Sequence, residues 1–121
     1  EIDIHFFVTP FDFESVDFLS EFDLSAYKIA SADMTHTPLL EYVAQLNKPI
    51  ILSTGGGSMI DVSRSVDTIL SINDELVILH CTSSYPALYH DMNLNVIPKL
   101  IKEFPNQIIG LSDHENGAHA A

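Results

Sequence analysis

The sequence predicts an α/β protein built on a parallel sheet, on the strength of three observations. Five short apolar runs recur along the chain, helical patterns separate them, and every run ends at a serine or threonine. The runs are residues 6–9, 27–31, 50–54, 77–82 and 108–112. Continuous apolar runs of this length are typical of parallel strands that helices cover on both faces.

Four segments between the runs have the apolar spacing of amphipathic helices. They are residues 13–22, 39–46, 59–70 and 94–104. Thr37 is expected to cap the second helix, with Pro38 in its first turn, and Ser58 to cap the third. Pro105 follows the end of the fourth, whereas Pro98 lies inside it and disfavours a regular helix there.

The alternation of strands and helices predicts right-handed crossovers, in either a doubly wound sheet or a (β/α)₈ barrel. Five strands in 121 residues would complete a doubly wound sheet. A barrel usually needs about 250 residues, so length alone favours the doubly wound sheet. In both folds ligands bind at the carboxyl ends of the strands, where the recurring hydroxyl groups predict a site for an oxygen-rich anion.

Composition limits the possible partners. The net charge is −12, from 5 Lys and Arg against 17 Asp and Glu, so we expect no nucleic-acid partner. The apolar runs are too short to cross a bilayer, so we expect no membrane association. A single cysteine, Cys81, fits a reducing compartment, and we expect a cytoplasmic protein.

Lys28 interrupts an apolar run, which is costly unless the ammonium binds an anion or loses its proton. It is therefore an anion-binding lysine, a Schiff-base lysine, or a strand-start lysine whose end reaches solvent. The glycine-rich segment 53–57 would let backbone N–H groups approach an oxyanion at a helix start, although such turns also occur without ligands.

Two further segments carry ionisable residues at predicted strand ends. Cys81 could be a nucleophile, but a buried structural thiol is the favoured interpretation. His80 lies inside the predicted strand, as expected of a core histidine. His114 could bind a divalent metal through a neutral ring nitrogen, but a single histidine is a weak signal.

Five motifs contain most of these residues. They are Thr-Pro-Phe-Asp at 9–12, Tyr-Lys-Ile-Ala-Ser at 27–31, Lys-Pro-Ile-Ile-Leu-Ser-Thr-Gly at 48–55, His-Cys-Thr-Ser-Ser-Tyr-Pro at 80–86 and Gly-Leu-Ser-Asp-His at 110–114. In order and spacing they resemble the N-acetylneuraminate (sialic acid) synthase family. The resemblance implies a (β/α)₈ TIM barrel, with residues 1–121 as a partial catalytic domain of five β/α units, strands three to seven. The barrel ends and the family's C-terminal antifreeze-like domain would be absent from this chain.

The resemblance also implies an activity. Such a synthase is a transferase that condenses phosphoenolpyruvate with N-acetylmannosamine or a related N-acetylated amino sugar and releases phosphate. It implies a divalent metal, Mn²⁺ or Mg²⁺, and a homodimer for the full-length protein.

Ten residues match the family's site positions. By resemblance, Lys28, Thr9 and Ser31 would lie near the carboxylate of phosphoenolpyruvate, and its phosphate would lie near Ser53, Thr82, Ser83 and Ser112. Tyr85 and Asp33 would lie near the sugar, and His114 would bind the metal. Lys28 and His114 would be the catalytic residues. Ser83 stands where many members have asparagine, and Asp33 where some have glutamate.

Two alternatives remain open. One is a Schiff-base aldolase on the same fold, with Lys28 as its nucleophile. The other is that the isolated chain is catalytically inactive, because an open five-strand portion of a barrel has two unpaired edges.

Overall fold

The computed structural model describes residues 4–117 and 120, and its five strands form one parallel sheet in the order β1-β2-β3-β4-β5. The strands are β1 Phe7–Val8, β2 Ala26–Ile29, β3 Ile50–Ser53, β4 Leu76–Cys81 and β5 Ile108–Ser112. Each strand pairs with the next one in sequence, as in a barrel, whereas a doubly wound sheet reverses its strand order at a switch point. The five strands and the four α-helices between them therefore form part of a (β/α)₈ barrel, and the doubly wound sheet that length alone favoured was wrong.

The four predicted helices are confirmed. They are α1 Phe13–Ser20, α2 Thr37–Ala44, α3 Met59–Leu70 and α4 Val96–Glu103, with two short 3₁₀ helices at Ser31–Asp33 and Tyr89–Asp91. Helix α1 ends before Phe22, which lies outside it and is exposed. Pro98 lies in the first turn of α4, where its missing N–H removes no intrahelical hydrogen bond.

Helix starts depend on local side-chain hydrogen bonds. The Ser58 hydroxyl accepts from the Asp61 N–H, and the Asp61 carboxylate accepts from the Ser58 N–H, so α3 begins with a full capping box. The prediction that Thr37 caps α2 was wrong. Thr37 is the first helical residue, and His36 occupies the cap position without a side-chain hydrogen bond.

The core lies between the sheet and its helices. Ile50 and Leu52 of β3 and Ile78 of β4 are fully buried in one cluster with residues of α2 and α3. The alternate strand residues Ile51 and Val77, which are neighbours in the parallel register, are only half-buried. Alternate side chains therefore face the helices and the concave, barrel-interior side of the sheet.

The two edge strands differ from this pattern. Phe7 of β1 and Ile108 of β5 are exposed, because each of these strands has a neighbour on one side only. The three central strands are buried on the face that packs against the helices and only partly buried on the concave face, so the prediction that helices cover both faces was wrong. No helix within residues 4–117 is long and apolar enough to cross a membrane.

The capping box generates a stability prediction. Ser58→Ala should lower the free energy of unfolding by about 1 kcal/mol, because it leaves an N–H group of the first turn of α3 without its partner. Ser63→Ala, in the same helix, should leave stability unchanged or slightly higher, because alanine favours a helix. Urea unfolding of the full-length protein measures both, and equal losses in the two variants would contradict the role of the cap.

Candidate active site

The carboxyl ends of the strands surround a cavity of about 320 Å³. Seven of the ten predicted site residues line it: Lys28, Ser31, Ser53, Ser83, Tyr85, Ser112 and His114. They come from β2, β3, β4, β5 and the loops that follow, so residues far apart in sequence meet at one mouth. The structure therefore brings most of the predicted site residues together at one cavity.

The strand register explains which side chains meet. Cys81 of β4 lies opposite Ser112 of β5, and Ser53 of β3 lies opposite Leu79 of β4. Leu79 in turn lies opposite Gly110, where a Cβ atom would come within 2.9 Å of the leucine side chain. A glycine at this position gives Leu79 the space it occupies beneath the polar mouth.

Ser53 is the most informative polar residue of the cavity. It is 2% exposed, and its hydroxyl has no hydrogen-bond partner within the described residues. A buried hydroxyl without a partner costs about 1–3 kcal/mol. A polar ligand in the cavity would supply the missing partner.

Lys28 brings positive charge to the same cavity. Its Nζ donates to the carbonyl oxygen of Ile29 at 3.2 Å, and no ion pair of the described residues includes it. Burial lowers the pKa of the Lys28 ammonium, and an electrostatic interaction with nearby Cys81 partly opposes this shift. The lysine is therefore a half-buried cation without a carboxylate partner in this part of the chain, as an anion site requires.

His114 has a defined tautomer in this setting. Its Nδ1 lies 3.0 Å from the carbonyl oxygen of Thr82, which can only accept, so Nδ1 carries the proton. Nε2 then carries the lone pair, which accepts a hydrogen bond from the Tyr85 hydroxyl at 3.1 Å, and the two rings stack at 4.1 Å. Nε2 is the atom that could bind a metal, with its ring oriented by the Thr82 carbonyl.

The described residues do not form a complete metal site around His114. No group of three or more His, Cys, Asp or Glu side chains within residues 4–117 could hold a metal ion. The donor chemistry of His114 thus fits one position of a metal site. The remaining ligands would have to come from substrate, water or other parts of the protein.

Three predicted residues do not line the cavity. The Thr82 hydroxyl donates to the carbonyl oxygens of Asp91 and Met92, at 3.3 and 3.4 Å, and faces a neighbouring cavity of about 500 Å³. Thr9 is half-buried just after β1. Asp33 lies in the first 3₁₀ helix with one carboxylate oxygen buried and without a hydrogen bond among the described residues.

The glycine-rich loop differs from its predicted role. The Gly55 N–H donates to the Ser31 hydroxyl at 2.9 Å, so this amide is already used. Gly56 and Gly57 are not among the residues that line the cavity, and Gly57 packs against Met34. Thr54 is also turned away, because its hydroxyl donates to the carbonyl oxygen of Leu79.

Cys81 and His80 are both buried, as the sequence favoured. Cys81 is a free thiol, 6% exposed, and the Nε2 of buried His80 lies 2.6 Å from the carbonyl oxygen of Met92. The sequence did not indicate that Cys81 also forms a wall of the cavity, nor that Phe11 reaches it. Both positions follow from strand register and loop path, which local patterns do not determine.

Comparisons with known proteins show which family the chain resembles. The NeuB family matches residues 1–121. The chain is 44% identical over 115 residues to spore coat polysaccharide biosynthesis protein SpsE of Bacillus subtilis, covering 94% of this chain and 31% of that protein. It is 39% identical over 119 residues to N,N'-diacetyllegionaminic acid synthase of Campylobacter jejuni, covering 96% and 35%.

A solved structure extends the likeness to three dimensions. The crystal structure of N-acetylneuraminic acid (sialic acid) synthetase from Leptospira borgpetersenii superimposes with a TM-score of 0.92 at 36% identity, covering 97% of this chain and 41% of that one. The chain spans about a third of the length of the curated relatives that it matches. The family predicted from the five motifs is confirmed: the chain belongs to the NeuB family.

Proposed function

We propose that the full-length protein is a synthase that condenses phosphoenolpyruvate with an N-acetylated amino sugar and releases phosphate. Its family and the sugar-acid synthases among its relatives support this proposal. The observation that carries it is the buried Ser53 hydroxyl without a partner, in one cavity with the unpaired Lys28 ammonium. The homodimer stays a prediction.

Phosphoenolpyruvate suits the cavity because it carries two anionic groups. We assign its carboxylate to Lys28, Ser31 and Thr9 and its phosphate to the hydroxyl groups around Ser53. These are Ser53, Ser83, Ser112 and Thr82. The Thr82 hydroxyl would have to leave its two backbone carbonyl partners to take part. The net charge of −12 makes these local donors necessary, since long-range attraction of an anion is absent.

The reaction joins carbon three of phosphoenolpyruvate to the aldehyde carbon of the open-chain sugar. Water adds to carbon two, and the bond between that carbon and the phosphate oxygen breaks. Lys28 and the hydroxyl groups hold the enol phosphate against the aldehyde and offset its negative charge, so positioning and electrostatic stabilisation supply the catalysis. Tyr85 and Asp33 are assigned to the sugar.

A divalent metal, Mn²⁺ or Mg²⁺, belongs to this proposal. His114 Nε2 would hold it, and the Tyr85 hydroxyl would then have to move from its present position 3.1 Å from that atom. When bound, such an ion polarises a carbonyl oxygen as a Lewis acid. The Thr82 carbonyl keeps the proton of His114 on Nδ1 and so leaves Nε2 free for the ion.

A Schiff-base aldolase is the second candidate, and the lowered pKa of Lys28 favours it. Borohydride added with pyruvate distinguishes the two. The synthase should give no stable adduct at Lys28 by mass spectrometry. A borohydride-dependent adduct that disappears in Lys28→Ala would establish the aldolase instead.

Removal of the buried cation tests the proposed role of Lys28. In the full-length protein Lys28→Ala should lower kcat/KM for phosphoenolpyruvate by about 100-fold or more, because the substrate anion loses its charged partner. Lys48→Ala is the matched control. Lys48 pairs with Asp23 at 2.7 Å just before β3, at the opposite end of the sheet, and its loss should leave turnover unchanged. Unchanged phosphate release in Lys28→Ala would contradict the assignment.

The pH dependence separates the two candidates by its sign. In the synthase Lys28 must be protonated, so kcat/KM for phosphoenolpyruvate should fall as pH rises through its lowered pKa, below the value of about 10.4 of an ordinary lysine. In the aldolase Lys28 must be neutral, so activity should rise through the same pKa. A profile that stays flat to about pH 10 would contradict a role for the ammonium in either reaction.

A further inference from the structure

Gly55 lies buried at the point where the loops after β2, β3 and β4 meet. A Cβ atom at this position would lie 2.3 Å from the Ser83 Oγ and 3.0 Å from both the Ser31 Oγ and the carbonyl oxygen of Cys81. We propose that Gly55 is a positioning residue, whose missing side chain lets the Ser31 and Ser83 hydroxyls approach the substrate anion from either side. This inference rests on the proposed function, since it concerns the same cavity.

Gly55 follows β3 and contacts the loops after both flanking strands, β2 and β4. On the β2 side its N–H donates to the Ser31 hydroxyl at 2.9 Å, which fixes the direction of that hydroxyl. On the β4 side the Ser83 hydroxyl occupies the space that a Cβ atom would fill. Both serines line the cavity, so the backbone of Gly55 sets how closely they converge.

The three close neighbours differ in their freedom to move. The Cys81 carbonyl belongs to the backbone of β4, and the Ser31 hydroxyl is held by the Gly55 N–H. Ser83 is exposed and needs only a rotation about its Cα–Cβ bond to move its hydroxyl away. A methyl group at position 55 should therefore displace the Ser83 hydroxyl first.

Gly57 in the same loop is a suitable control. A Cβ atom there would lie 2.1 Å from the terminal methyl group of Met34, so the end of this long, buried side chain must shift, but Met34 does not line the cavity. Gly56 is unsuitable, because its φ of +77° requires glycine for the backbone itself. Gly55→Ala and Gly57→Ala thus add the same methyl group two residues apart, with different neighbours.

Steady-state kinetics of the full-length protein test the proposal. Gly55→Ala should raise KM for phosphoenolpyruvate about 10-fold or more, as expected for a lost hydrogen bond to a charged group, with a smaller change in kcat. Gly57→Ala should change this KM less than about threefold. Equal KM values for the two variants would overturn the proposal, and circular dichroism melting controls for general unfolding.

A double-mutant cycle shows whether the effect passes through Ser83. In a Ser83→Ala background the further change Gly55→Ala should raise KM less than about threefold, because the displaced hydroxyl is already absent. A 10-fold increase in both backgrounds would overturn positioning through Ser83. The absence of phosphate release from the unmutated protein would instead contradict the proposed function. The crystal structure of Gly55→Ala would then decide the inference: a displaced Ser83 hydroxyl supports it, and an unmoved one overturns it.

Discussion

The parallel register between consecutive strands is the constraint on which the cavity depends. Because side chains alternate along a strand, a shift of one residue would turn every inward side chain toward the helices. In the observed register Cys81 lies opposite Ser112 at the carboxyl ends of β4 and β5, and Leu79 lies opposite Gly110 two residues earlier, so on these strands the polar mouth lies above an apolar layer. The helices maintain this register because they bury the side chains on the other face of the same strands, such as Leu52 and Ile78.

The cavity retains polar groups that a core designed for stability alone would not contain. Ser53 has a buried hydroxyl without a partner, and Lys28 has a half-buried ammonium outside any ion pair of the described residues. Such groups oppose folding and favour binding, because a ligand anion satisfies both at once. Thr54 differs from these two residues, because its hydroxyl already donates to a backbone carbonyl oxygen. Its polar group stabilises the fold, whereas those of Ser53 and Lys28 can bind a ligand.

Much of the fold could be predicted from local pattern, and the failures have physical reasons. Apolar runs and helical stripes located the four helices and all five strands, and Ser58 was recognisable as a cap. Thr37 was not, because a serine or threonine before a proline fits the cap and the first turn equally well. The barrel followed from the motif resemblance, since chain length favoured the other sheet. Thr82 does not line the cavity, because its hydroxyl donates to carbonyl groups of the following loop, about ten residues away. No local sequence pattern indicates these hydrogen bonds.

The strand order also bears on how the chain acquires its structure. Phe7 pairs with Ala26 and Val77 pairs with Ile108, so partners across the sheet are separated by about 20 to 30 residues at every step. The entropy lost on closing each loop is therefore similar from one unit to the next and grows only slowly with loop length. In a sheet whose strand order reverses, the two strands that pair across the reversal are further apart in sequence, so a longer loop must close there. Because every pairing in this parallel sheet is non-local, each strand can add to the edge that its predecessor has formed only after such a loop closure, and this step limits the rate of folding.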